Sequence, residues 1–147
     1  MRLQNKVAIV TGGSRGIGYA TVEAFLREGA AVVLTASSPA SAEKAVAKLK
    51  ESYPEAKVAG ISPNLSSLES VREAFKGVVE QFGRIDILVN NAGVSESTQL
   101  LNSTEETFDK VMDLNVKGVF TTSRVAAEYM EKQGKGVILR GDGIARS

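Results

Sequence analysis

The run Thr11-Gly12-Gly13-Ser14-Arg15-Gly16-Ile17-Gly18 sits where an apolar segment, residues 6–10, gives way to a helical pattern that starts at Ile17. A strand that turns into a helix through glycines brings bare backbone to the bend, and few folds need that. Gly12 permits a tight turn, Gly16 leaves room for a pyrophosphate against the main chain, and Gly18 lets helix and strand pack closely. The amides at the helix start then face an anion. No Gly-Lys-Ser/Thr follows, so this is not a Walker loop, and the spacing differs from the usual G-x-G-x-x-G.

The rest of the chain repeats the strand-then-helix order. Apolar runs at 7–10, 31–35, 57–61 and 85–89 alternate with amphipathic stretches, the pattern of a parallel sheet covered on both faces. Ala42, Ala45, Val46 and Leu49 form one helical stripe, and Leu68, Val71, Phe75, Val78, Val79 and Phe82 form a second. Ser38 before Pro39 reads as a helix start. Ser66 with Glu69 and Ser103 with Glu106 have capping-box spacing. Residues 104–133 make a long helical stretch, one helix or two, with Phe108, Met112, Asn115, Val119, Ala126 and Met130 near one face. The expectation is a doubly wound α/β fold with strand order 3-2-1-4 and a terminal strand beyond. With 147 residues and no linker or repeat, all of 1–147 reads as one domain.

Composition excludes more than it suggests. There is no Cys and no His, which removes disulfides, thiol nucleophiles, the usual zinc sites and a Ser-His-Asp relay. Eighteen basic against 17 acidic residues give no electrostatic case for nucleic acid or a membrane surface as partner. No apolar run suits a signal peptide or a membrane span, so the expectation is a cytoplasmic protein.

The spacing Thr-Gly-x-x-x-Gly-x-Gly resembles that of the short-chain dehydrogenase/reductase family. Further segments fit the resemblance: Asn90-Asn91-Ala92-Gly93 after the fourth strand, and Asn115 within Leu114-Asn115-Val116-Lys117-Gly118. Taken as ordinary chain, the first is a strand-ending turn and the second a hydrogen-bonded core Asn. The resemblance implies a Rossmann-type sheet, shortened here to about five strands, that binds a nicotinamide dinucleotide. It implies cofactor-binding roles for Thr11, Gly12, Ser14, Arg15, Gly16, Ile17, Gly18, Ser37, Ser38, Asn64, Asn90, Ala92 and Gly93. Asn115 matches the family's proton-relay Asn. Asn64 stands where the family commonly has an Asp that meets adenine, and it reads equally well as a loop residue before a helix. The second strand ends in Thr35-Ala36-Ser37-Ser38, without the acidic residue that would select NAD, and Arg15 lies in the turn. NADP(H) is therefore expected over NAD(H).

The family reduces carbonyls or oxidises alcohols with a Ser and a Tyr-x-x-x-Lys pair placed after the fifth strand. No Tyr-x-x-x-Lys is read anywhere in the chain, and Ser147 is the only Ser beyond Val137, so the expectation is that these elements are absent. Tyr129 and Lys132 are three apart and precede that place. Residues 136–139 read either as the start of the family's fifth strand or, followed by Asp142-Gly143, as its last strand joined by a deletion. On either reading the substrate portion is missing, and an exposed helix face and sheet edge favour self-association. The function expected is thus an oxidoreductase-type NADP(H)-binding module with its activity impaired. One alternative is a non-catalytic oligomeric or regulatory protein. Another is a hydrolase built on Glu96, Glu105, Asp113 or Asp142, although nothing in the sequence pairs these acids.

Overall fold

A computed structural model describes residues 2–91 and 104–140. Nine elements follow in order: β1 (Val7–Val10), α1 (Gly16–Arg27), β2 (Ala31–Thr35), α2 (Pro39–Ser52), β3 (Val58–Ile61), α3 (Leu68–Phe82), β4 (Ile87–Asn90), α4 (Glu105–Gln133) and β5 (Val137–Arg140). The strands form one parallel sheet in the order β3-β2-β1-β4-β5, the order expected of a Rossmann-type sheet. β5 pairs beside β4 with Val137 opposite Ile87, the place of a fifth strand in a sheet that grows outward from β4.

Strand alternation divides the core into two layers. Ala8, Val10, Val32 and Leu34 point to one face and meet Val22, Leu26, Ala42, Ala45 and Leu49 of α1 and α2. Val7, Ile9, Ala31 and Val33 point to the other and meet Val71, Phe75 and Val78 of α3 with Val125, Ala126 and Met130 of α4. Both central strands are buried along their whole length, which explains why they read as continuous apolar runs.

The helix starts correct two expectations. α3 is capped by Ser67, whose side chain accepts from Ser70 N at 3.1 Å. Ser66 instead donates its amide to Asn64 Oδ1 at 3.0 Å, in a turn that precedes the cap. α4 is capped by Thr104, which accepts from Thr107 N at 3.1 Å; Ser103 lies outside the described residues. The cap of α2 is Ser38 with Pro39 at the first helical position, as expected. The stretch 105–133 is a single helix.

Two polar devices fasten the edge of the sheet where the strands begin. Asp86, 5% exposed, accepts from Val7 N at 2.9 Å and pairs with Arg84 at 2.7 Å, which keeps a buried carboxylate both bonded and neutralised. Gln133, at the end of α4, accepts from Ile85 N at 3.0 Å and donates to Ile85 O at 2.7 Å. At the other edge Thr122 and Ser123 of α4 bond the side chain of Asn90. α4 therefore runs opposite to β4, and its N-terminal half projects past the ends of the strands.

That projection overturns part of the apolar stripe. Ala126 and Met130 are buried, but Met112 is 44% exposed, since the helix there has passed beyond the sheet. Val116 (64%) and Phe120 (54%) are exposed too. The side chain of Phe108 lies outside the described residues. No helix among the described residues is long and apolar enough to cross a membrane.

Candidate functional site

The bend 11–18 lies at the edge where the strands end, between β1 and α1, and β1 is the strand from which chain order runs outward in both directions. Open parallel sheets hold ligands at such a switch point. Gly12 and Gly16 have φ of 65° and 61°, the left-handed region in which a side chain is strained. A Cβ on Gly16 would meet nothing within 4 Å, so this glycine faces open space. A Cβ on Gly18 would run into Gly12 O and Asn91 Nδ2, which makes close packing the reason for that residue.

Both flanking strands hold the bend. On the β4 side Thr11, 1% exposed, donates its amide to Val89 O at 2.9 Å, and its Oγ1 accepts from Asn91 N at 2.9 Å. On the β2 side Gly12 N donates to Thr35 Oγ1 and Gly13 N to Thr35 O, both at 3.1 Å. These bonds occupy the amides of Gly12 and Gly13. The amides of Gly16, Ile17 and Gly18 have no hydrogen-bond acceptor among the described residues, and Arg15, the residue before the helix, makes no side-chain cap. The start of α1 thus directs unanswered donors, backed by the helix dipole, toward the outside of the sheet edge. Arg15 is exposed, and Ile17 is 73% exposed, an unusual position for a large aliphatic side chain at a helix start.

The remaining site residues spread along the same edge. Ser37 is exposed after β2, whereas the oxygen of Ser38 is engaged in capping α2, accepting from Ser41 N at 3.2 Å. Asn64 is exposed after β3; its Oδ1 accepts from Ser66 N and its amide donates to Ser70 Oγ at 2.9 Å. Asn90 is buried, with Nδ2 donating to Ser123 Oγ at 3.1 Å and Oδ1 accepting from Thr122 Oγ1 at 2.7 Å. Both ends of its side-chain amide join β4 to α4, so it supports the sheet edge from within. Asn115 is half-buried on α4, about 10 Å of helix before Thr122 and so beyond the end of β4. Ala92 and Gly93 lie outside the described residues, as do Glu96 and Asp142; Glu105 and Asp113 are exposed on α4.

Thr35, Gly13 and Asn91 were not read from the sequence as site residues. The signal for Thr35 was present: it is the one hydroxyl in the buried strand Ala31–Thr35, and a buried hydroxyl requires a partner. Gly13 packs against Leu34, where a Cβ would lie 2.8 Å from the Leu34 Cβ. The expectation that the chain holds no Tyr-x-x-x-Lys is corrected by one such string, Tyr53 to Lys57. It lies at the opposite edge, after α2 and before β3, and its phenol donates to Glu23 Oε2 at 3.1 Å and accepts from Arg27 Nη1 at 3.0 Å. It is a surface clasp between α1 and the end of α2. Tyr129 is half-buried on α4 one turn before Gln133, also far from the glycine bend.

Known proteins match this arrangement. A family model described as short chain dehydrogenase matches residues 6–140. A 3α-hydroxysteroid dehydrogenase of Mediterraneibacter gnavus is 51% identical over 139 residues, which are 95% of this chain and 56% of that protein. A 3-oxoacyl-[acyl-carrier-protein] reductase of Thermotoga maritima is 39% identical, again with 95% and 56% covered. Among solved structures, NAD+-bound xylitol dehydrogenase superposes with a TM-score of 0.83 at 30% identity, covering 95% of this chain and 54% of that one. The chain spans about half the length of the relatives it matches.

Proposed function

We propose, from the premise that this chain belongs to the short-chain dehydrogenase family, that it is the dinucleotide-binding unit of a carbonyl/alcohol oxidoreductase and prefers NADP(H). The observation that carries the reading is the start of α1: three amides without acceptors among the described residues, beside a glycine of positive φ with open space in front of it. A pyrophosphate satisfies those donors without displacing any bond of the protein. Gly16, Ile17 and Gly18 hold the phosphates on this reading, with Ser14 beside them. Thr11 and Gly12 fix the bend, Asn64 borders the base, and Asn90, Ala92 and Gly93 border the nicotinamide half.

The order of strands supports the rest. With phosphates at β1, the adenosine ribose falls over β2, one strand spacing of about 4.8 Å away. No carboxylate stands at the end of that strand, Ser37 and Arg15 are both exposed nearby, and a guanidinium suits a 2′-phosphate. Ser38 contributes its backbone there, its hydroxyl being the cap of α2.

When bound, the nicotinamide ring supplies the redox chemistry, taking a hydride from an alcohol carbon or giving one to a carbonyl carbon. The chain's own residues bind and orient it. Asn115 stands on α4 where a proton relay would pass. A relative 51% identical is named for a 3α-hydroxysteroid, which makes such alcohols the first substrates to try. Residues 1–147 act as one unit, and a cytoplasmic location belongs to the same reading.

The exposed Met112, Val116 and Phe120 support self-association through α4, a second part of the proposal. Gel filtration at micromolar concentration is expected to give a species larger than a monomer, and a clean monomer counts against that part.

Fluorescence titration tests the cofactor reading. NADPH is expected to bind more tightly than NADH, and Gly16→Val is expected to abolish binding of both while far-ultraviolet circular dichroism stays that of the parent. Absence of binding at millimolar NADPH and NADH would sink the proposal.

A further inference from the structure

We infer that Thr35 is the positioning residue of the phosphate turn, an inference that rests on the cofactor reading above. Thr35 ends β2 and is 2% exposed. It reaches the turn by two routes at once: its Oγ1 accepts from Gly12 N, and its carbonyl oxygen accepts from Gly13 N, each at 3.1 Å. Consecutive amides of the bend are thereby tied to one residue of the neighbouring strand. The effect is to sort the donors of the loop. Gly12 and Gly13 are turned inward and held, so the donors left to an anion are those further along, at the start of α1.

The tie also fixes the conformation that directs those donors. Gly12 has a φ of 65°, and a glycine there has free access to other backbone states unless its amide is anchored. Thr11 anchors the preceding residue to β4 through Val89 and Asn91. Without the Thr35 hydroxyl the β2 side would hold the bend through the Gly13 amide alone, and the Gly12 amide would have no anchor. A phosphate oxygen bound a few ångströms away depends on the direction of the amides that follow, and misplacement by about 1 Å is costly at such sites.

Thr35 is, further, two residues from Ser37, on the ribose side of the proposed site. One residue thus connects the strand end where the ribose falls to the turn where the phosphates fall. It touches no part of the cofactor itself; it acts through Gly12 and Gly13.

The test compares Thr35→Val, which keeps the shape and removes the acceptor, with Thr35→Ser, which keeps the acceptor. NADPH affinity is measured by fluorescence, and exchange of the Gly12 amide is measured by NMR in the unliganded protein. Thr35→Val is expected to weaken NADPH binding about tenfold and to speed Gly12 exchange at least as much, since a buried donor loses its partner. Thr35→Ser is expected to restore both to within about twofold. A merely structural role would lower thermal stability without this paired, serine-rescued change. Equal NADPH affinity in the parent and Thr35→Val overturns the inference and leaves the cofactor reading intact, as does equal loss in the Val and Ser variants. Failure of the parent to bind any dinucleotide overturns both.

Discussion

At α2, α3 and α4 a hydroxyl, from Ser38, Ser67 and Thr104, accepts the amide hydrogen of the residue three places on at 3.1–3.2 Å, whereas α1 begins after Arg15 with no side chain on its first turn. All four helices follow a strand of the same parallel sheet and carry the same dipole, so their starts pose the same problem of unanswered donors. Three solve it locally, with the residue types that favour caps. The first has glycines in place of a cap, two of them at positive φ, and one strand on each side holding the bend. Local capping gives stability to the helix that has it. Leaving a start uncapped, in a loop this heavily anchored, leaves its donors available for the ligand role proposed above.

Substituting Gly18 breaks this contrast most severely. A Val there drives its Cβ into Gly12 O and Asn91 Nδ2, backbone and a part-buried amide that cannot move aside cheaply. We expect NADPH binding to vanish and stability to fall by about 2–4 kcal/mol, the cost of overpacking with a lost contact. Chemical denaturation and the fluorescence titration measure the two effects. A Gly18→Val protein that binds NADPH like the parent would show that the close approach has nothing to do with the site.

Giving α1 the cap it lacks is the more telling experiment. Arg15→Ser places a hydroxyl where it reaches the first-turn amides, and Arg15→Ala removes the same guanidinium without doing so. Relative to Arg15→Ala, the Ser variant should be more stable by about 1 kcal/mol and bind NADH about fivefold more weakly, because the ligand must displace the cap. NADH is the ligand of choice, since loss of the guanidinium then bears on no 2′-phosphate. If the Ser variant gains stability without losing affinity, the uncapped start is not what the cofactor uses.

Much of this site was legible because glycine, hydroxyl and apolar residues carry local rules. Val7–Val10 and Ala31–Thr35 could be read to the residue, since central parallel strands are apolar throughout. The bend at 11–18 was legible because a strand-to-helix junction with that glycine spacing has few uses. What escaped depends on neighbours distant in sequence. Thr35 and Gly12 are 23 residues apart, and Asn91 meets Gly12 from 79 residues away. Glu69, three residues on, gives Ser66 the spacing of a cap, yet Asn64 binds the Ser66 amide in a turn and the cap falls on Ser67. The apolar stripe of α4 was read as core through Met112, but periodicity cannot say where the sheet beneath a helix stops.

Removing a cap elsewhere should do the opposite of adding one at α1. Ser67→Ala is expected to cost about 1 kcal/mol in denaturant unfolding and to leave NADPH affinity within twofold. The cap serves only α3, and its oxygen bonds Ser70 N. A tenfold loss of affinity would mean that the β3–α3 loop, including Asn64, depends on that cap, and that stability and ligand binding are not divided between helix starts as argued.

The smallest effect concerns acid, and its sign follows from one ion pair. Arg72 of α3 hydrogen-bonds Glu128 of α4 at 2.5–2.8 Å, and that bond, aided by Arg72 and Arg124 charge, holds the Glu128 carboxyl below its ordinary value of 4.5. A carboxyl whose folded value is lowered adds stability above its unfolded value and loses it as pH falls through the folded one. The pair is exposed on both sides, so solvent screens it and the gain is small. Glu128→Gln should therefore lower thermal stability slightly at pH 7, and the difference between variant and parent should shrink as pH falls through the folded value of Glu128, below 4.5. The pair joins α3 to α4 and lies on the face of the sheet opposite α1, so NADH affinity at pH 7 should not respond to the substitution. A response would mean that the capped helices and the uncapped one are coupled through the sheet, and that the division between stability at three helix starts and binding at the fourth is incomplete.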